Sequence, residues 1–145
     1  MLVDPLACTL FDTDEKGLKA IKEQLLELNN MAIAGKPDDL VINTHVCRGN
    51  FHSTYVSSDA YDGVAQTLLA RENVGAYYLE FDDARSGGFA PLAAVSGDKK
   101  VVLGLVTTKR AQLEDKDAVI ARIHEAEKYL PLDRLCLSPQ CGFAS

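Results

Sequence analysis

No apolar run in this chain approaches the ~20 residues that cross a bilayer, which argues against a membrane-spanning helix. Positive charge is in short supply. Lys and Arg number 15 against 21 Asp and Glu, for a net charge of −6. With no Lys/Arg cluster, such a chain suits neither nucleic acid nor an anionic membrane surface. The start, MLVDPLACTLFDTDEKG, has neither the basic segment nor the apolar core of a signal peptide, and the chain reads as cytoplasmic. Cysteine is sparse. The four residues, at 8, 47, 136 and 141, form no CxxC…CxxC pattern, so a zinc finger is not indicated. In a reducing cytosol they point to metal, catalysis or packing rather than to disulfides. There is no internal repeat, low-complexity tract or linker, and 145 residues fit one domain.

What is there is an alternation of helix and strand. In DEKGLKAIKEQLLELNNMAIAGK, Leu18, Ile21, Leu25, Leu28 and Ala32 recur at helical spacing, and Gly35 and Pro37 end the run. LVINTHV reads as a strand. SDAYDGVAQTLLAREN reads as a helix with Ser58 or Asp59 as its N-cap. GAYYLEF is a second strand, RSGGFAPLAAV a loop with one short helical turn, and KKVVLGLVTT a third strand. DKDAVIARIHEAEKYL is a third helix, ended by Pro131, and DRLCLSP a fourth strand. The strands are continuous apolar runs, which predicts cover on both faces. The alternation predicts right-handed βαβ units and a parallel sheet. An open doubly wound sheet and part of a (β/α)8 barrel both fit, since a whole barrel needs about 250 residues.

Parallel α/β sheets bind ligands beyond the carboxyl ends of their strands. His45 and Cys47 fall at the end of the first strand, Glu80 at the end of the second, and Cys141 just past the fourth. Zinc takes four ligands from Cys, His and carboxylate, and separate strand ends can converge on one point. Each residue also has a plainer reading. His-x-Cys can be packing, and Glu80 can be solvated or paired with Arg85. Cys136 lies inside an apolar strand and reads as core. Cys8 has no assigned role, His52 reads as a loop residue and His124 as solvent-facing. Asp82, Asp83 and Arg85 are either a salt-bridged loop or groups that orient His45 or Glu80 or contact a polar substrate.

INTHVCRGNFHSTY, YYLEFDDARSGGFAPL, VVLGLVTTK and LCLSPQCGFAS resemble the C-terminal part of cobalamin-independent methionine synthase. More closely, they resemble its shorter single-barrel relatives, the methionine synthase II-like proteins. The resemblance runs from about residue 36 to 145. It implies an α/β fold, the C-terminal half of a (β/α)8 TIM barrel. Residues 1–145 would then be a single partial domain that lacks the first strands and the last helix. It implies one Zn2+ held by His45, Cys47, Glu80 and Cys141.

The implied reaction moves a methyl group from 5-methyltetrahydrofolate, as its polyglutamate, to homocysteine, giving methionine. Coordination to zinc deprotonates a thiol whose free pKa is ~8.5. Glu80, the oxygen ligand, is the candidate for exchange with substrate. The family's full-length enzymes carry a histidine after the seventh strand. Here GLVTTKR places Thr107 and Thr108 there, and Thr107 joins Asp82 and Arg85 as candidates for holding ligands or substrate. Two alternatives stand beside this reading: a zinc-dependent alkyltransferase for another thiol or donor, and an inactive zinc-binding fragment. A half-barrel leaves two open edges and a bare inner face, so the chain is expected to self-associate or to belong to a longer protein.

Overall fold

The computed structural model describes residues 6–50, 52–55 and 57–141. Helix α1 spans Ala7–Leu10 and α2 spans Glu15–Ile33. Asp14 caps α2 through its carboxylate, which accepts from the Gly17 N–H at 2.8 Å. That satisfies one of the donors a helix start leaves unpaired. The apolar stripe is not the buried face of α2. Leu18 and Ile21 are half-buried and Leu25, Leu28 and Ala32 are exposed, while Leu26 is buried. Polar anchors set the docking face instead. Lys22 Nζ donates to Gly63 O at 2.8 Å, Asn29 Nδ2 to Glu72 Oε1 at 2.9 Å, and Asn30 Nδ2 to Arg71 O at 3.1 Å. Lys22, Leu26, Asn29, Asn30 and Ile33 themselves follow the helical period.

Strands β1 (Asn43–Val46), β2 (Ala76–Glu80), β3 (Lys100–Val106) and β4 (Leu135–Pro139) form one parallel sheet in the order β1-β2-β3-β4. Between β1 and β2, α3 (Asp62–Val64) runs into a π-helical turn at Ala65–Leu69. Its N-cap is Tyr61, not Ser58 or Asp59. Asp59 has φ 110 and its carboxylate accepts from the adjacent Ala60 N–H, so its side chain is spent on its own turn. Two 3-10 turns, Ala84–Ser86 and Ala90–Ala94, replace the single turn expected in RSGGFAPLAAV. Between them Gly87 has φ 72, and a Cβ there would stand 2.4 Å from the Ala60 methyl. Helix α4 (Lys116–Glu127) is capped by Asp115, which accepts from Ala118 N at 2.9 Å. It stops at Glu127, before Pro131.

Tyr77, Leu79, Phe81, Val101, Leu103 and Leu105 alternate onto one face of the sheet and pack with Tyr61, Leu69, Phe89, Leu92 and Leu130. The Phe81 ring centroid lies 5.2 Å from that of Tyr61 and 4.6 Å from that of Phe89. Truncating such a buried aromatic costs ~3–5 kcal/mol. The other face is only partly covered, where the apolar strands predict full cover: Val102 and Glu80 are buried there, but not every neighbour is. His45, Tyr78, Val102 and Cys136 form one cross-strand row there, and Glu80, Gly104 and Ser138 form the next. Asn43, His45 and Tyr78 are exposed, and Cys136 is half-buried on this face rather than in the core. Among the described residues, no helix is long and apolar enough to cross a membrane.

Candidate metal centre

β1 stops at Val46 and the chain turns at Gly49, whose φ is 89. The turn brings the Gly49 N–H back to Cys47 Sγ at 3.1 Å. Glu80 is the last residue of β2, and its N–H donates to Tyr61 Oη at 2.7 Å. The same phenol donates to Val46 O at 3.2 Å, so one side chain ties the ends of β1 and β2 together. Burial above all pushes the Tyr61 pKa up to about 12, which keeps the phenol a donor. Arg48 is 2% exposed. It lies 4.0 Å from the Tyr61 ring centroid and donates through Nε to Asp59 O at 3.0 Å and through Nη1 to Glu80 O at 3.4 Å. β3 contributes space rather than a ligand. A Cβ on Gly104 would stand 3.0 Å from Leu79 O and 3.4 Å from Gln140 Cα.

Beyond these ends the ligating atoms of His45, Cys47, Glu80 and Cys141 all lie within 4.8 Å of one another. Cys141 Sγ donates to Glu80 Oε1 at 3.1 Å, and Cys47 Sγ stands 3.6 Å from the same oxygen. Zinc bonds of ~2.0–2.3 Å in tetrahedral array would place ligand atoms roughly 3.3–3.8 Å apart. The cluster is therefore of the right size. Glu80 is 1% exposed, and its Oε2 is buried without a hydrogen-bond partner. Burial, then hydrogen bonding with Cys47 and Glu80, pushes the Cys141 thiol well above the ordinary thiol range. A divalent cation among these donors would favour the thiolate form of Cys141. The donor set of two sulfurs, one imidazole and one carboxylate suits zinc better than magnesium or calcium, which take oxygen.

A second cluster adjoins Glu80. Arg85 Nη2 lies 3.0 Å from Asp82 Oδ1 and 3.6 Å from Glu80 Oε2, and Nη1 pairs with Asp83 Oδ2. Thr107 Oγ1 donates to Asp82 Oδ2 at 2.8 Å, and Lys109 Nζ stands 4.0 Å from that oxygen. The loop after β2 is thus salt-bridged and also reaches the glutamate. A cavity of about 200 Å³ opens beside the first cluster, lined by His45, Tyr78, Glu80, Ser138, Gln140 and Cys141 among others. Cys8 is half-buried in α1, His52 sits in the β1–α3 loop at φ 47, and exposed His124 lies 3.0 Å from Glu127 Oε2. None of the three belongs to the cluster. Sequence reasoning misses Arg48, Lys109, Asn50 and Tyr61. For Arg48 the signal is its place directly after the His-x-Cys pair.

The family profile for "Cobalamin-independent synthase, Catalytic domain" matches residues 19–145. The chain belongs to this family. Two uncharacterized proteins of Bacillus subtilis (strain 168) are similar to it. YxjG is 48% identical over 154 aligned residues, which cover 99% of this chain and 40% of YxjG. YxjH is 53% identical over 117 residues, 80% of this chain and 31% of YxjH. The chain thus spans less than half the length of these curated relatives. A solved structure from Listeria monocytogenes, described as a vitamin-B12 independent methionine synthase, matches with TM-score 0.69 and 38% identity over 90% of this chain and 36% of that one. A B12-independent methionine synthase from Shewanella sp. W3-18-1, solved with selenomethionine, matches with TM-score 0.65. It is 21% identical, over 81% of this chain and 35% of that one, and speaks to fold alone. The parallel α/β sheet is therefore part of a synthase-family barrel domain, the class expected from the sequence.

Proposed function

We propose that this chain carries the zinc site of a thiol methyltransferase, with homocysteine as the thiol and 5-methyltetrahydrofolate, in polyglutamate form, as the donor. The observation that carries this reading is the convergence of His45, Cys47, Glu80 and Cys141 from three strand ends in a member of this family. Bound there, zinc would supply the positive charge that turns an incoming thiol into a thiolate near neutral pH. The chain's own groups prepare the site. The Gly49 N–H supports the Cys47 sulfur. Arg85 stands 3.6 Å from Glu80 Oε2, and Asp82, held by Thr107, fixes Arg85. Glu80, as the one oxygen donor, is the ligand that yields most readily to a sulfur. The cavity beside it gives a small thiol room to enter.

Metal analysis of the purified chain and of Cys141→Ser tests the reading, followed by methyl transfer from methyltetrahydrofolate to homocysteine. One zinc per chain, lost or much weakened in the variant, supports it. A parent chain that takes up no zinc sinks it.

A second reading is a zinc-binding fragment without turnover, or an alkyltransferase for another thiol or donor. The short span relative to YxjG and the threonines of GLVTTKR favour it. Chelation separates a structural site from a catalytic one. The core around Phe81 and Leu103 is built without the four candidate ligands. A catalytic site should therefore lose its metal and keep the fold, whereas a structural zinc would take the fold with it.

A further inference from the structure

We infer that Asn50 and Thr108 form a clasp that positions Cys141 for metal binding. The inference rests on the metal reading above. Of the four candidate ligands, Cys141 has the weakest claim to a fixed place. It lies past the end of β4, and 94 residues separate it from Cys47. The Cys47 sulfur already accepts from the Gly49 N–H, and the Glu80 backbone is held by Tyr61 and Arg48. Ordering a backbone residue costs conformational entropy, so something must hold the Cys141 segment if its thiol is to wait beside the others.

Two side chains do so, each from a different strand end. Asn50 Nδ2 donates to the Cys141 carbonyl at 2.8 Å and to Thr108 Oγ1 at 2.8 Å. Thr108 Oγ1 stands 3.1 Å from the same carbonyl and 3.3 Å from Gln140 Oε1. With the Asn50 N–H as its incoming donor, the hydroxyl is free to give its own proton to the nearer oxygen, that of Cys141. The Gln140 N–H donates to Val106 O at 2.8 Å and continues the β3–β4 pairing up to the cysteine. The loops after β1, β3 and β4 therefore meet at one peptide group. Because Asn50 follows Cys47 by three residues, the loop that carries one thiol also grips the backbone of the other. In this network the two residues bond the Cys141 carbonyl rather than its sulfur. They are positioning residues, and groups of that kind typically tune metal affinity by about 10–100-fold.

The test compares the parent chain with Asn50→Ala, Thr108→Val, Thr108→Ser, the Asn50→Ala/Thr108→Val pair and Cys141→Ser. Zinc affinity is read by competition with a chromophoric chelator. The cobalt(II) form is read by its thiolate-to-metal charge-transfer intensity, and the metal-free chain by its melting temperature. Asn50→Ala and Thr108→Val should weaken zinc by about 10–100-fold and move the cobalt band toward that of Cys141→Ser. Thr108→Ser, which keeps the hydroxyl, should restore both. The paired variant should lose less than the product of the single losses, since the two side chains act on one carbonyl. Parent-like zinc affinity and a full cobalt band in Asn50→Ala and Thr108→Val would overturn the clasp, whatever their melting temperatures. Failure of the parent itself to bind either metal would overturn the metal reading and the clasp with it.

Discussion

Cys47 Sγ and Cys141 Sγ lie 3.1 Å apart, and both thiols are free. The parallel sheet creates this proximity. β1 and β4 are its outer strands, yet the residues just past their ends reach over Gly104 of β3 and Glu80 of β2 toward one point. A pair so placed has two fates. A metal can hold both sulfurs, or an oxidant can join them.

Hydrogen peroxide should oxidise the metal-free chain at this pair. One sulfur attacks a peroxide oxygen and becomes a sulfenic acid as water leaves. The second sulfur then attacks the first, forms the S–S bond and releases a second water. Thiol titration should afterwards find Cys8 and Cys136 still free, and the mass should fall by two hydrogens. Loading with zinc should slow the loss. Peptide maps that place Cys8 or Cys136 in the bridge would contradict this geometry.

Arg85 should matter for stability as well as for Glu80. The Asp82 side chain is fully buried and the Arg85 side chain is 8% exposed. Removing one partner of a buried pair leaves an uncompensated charge and costs about 3–5 kcal/mol. Urea unfolding of Arg85→Ala should show a loss of that order. Arg85→Lys should lose less, since it keeps the charge but not the fork that reaches two carboxylates. Adding Asp82→Asn to Arg85→Ala should recover part of the loss. A cost below ~1 kcal/mol for Arg85→Ala would mean that water screens the pair.

The order of the main helices and strands is legible in the sequence because apolar runs mark β2, β3 and β4, and Gly35, Pro37 and Pro131 follow the ends of the two long helices. The docking face of α2 is not. It is chosen by Lys22, Asn29 and Asn30 bonding to Gly63, Glu72 and Arg71, partners 41 to 43 residues away. Local periodicity favours Leu25 and Leu28, and the fold leaves both exposed. At the site, His45, Cys47, Glu80 and Cys141 stand out because parallel sheets gather chemistry at their carboxyl edge. The groups that hold them do not. Arg48 is buried with backbone carbonyls as its acceptors and shows no charged partner in sequence. Asn50 and Thr108 read as loop residues until three strand ends are brought together.

Tyr77 should make stability fall in alkali. Its hydroxyl donates to Leu68 O at 2.7 Å, and its ring is fully buried. Burial first, then the charge of Glu72, raises its pKa above the ordinary tyrosine value. The folded state therefore holds this proton more tightly than the unfolded chain does. Its contribution is complete below the unfolded pKa of about 10 and is lost as pH rises above it. In Tyr77→Phe the fall in stability above that pH should be shallower. Near neutrality the variant should cost only about 0.5–1.5 kcal/mol, because one hydrogen bond is lost while Leu68 O keeps the Glu72 N–H. Urea midpoints measured across the alkaline range check both. An unchanged alkaline slope would show that Tyr77 does not carry it.

The isolated chain should self-associate. Among the described residues β1 and β4 each lack a neighbour on one side, and β1, with the sequence NTHV, carries no lysine or proline to discourage pairing. On α2, Leu28 is 58% and Met31 67% exposed, beside a half-exposed Leu25. Such a stripe is an association hazard of its own. Sedimentation velocity over a range of micromolar concentrations should show species larger than a monomer, with the proportion rising with concentration. Leu28→Lys then assigns the contact. Reduced association would place the second copy on the α2 stripe, and unchanged association would leave the open strand edges. A single monomer boundary throughout would mean that neither surface holds a second copy.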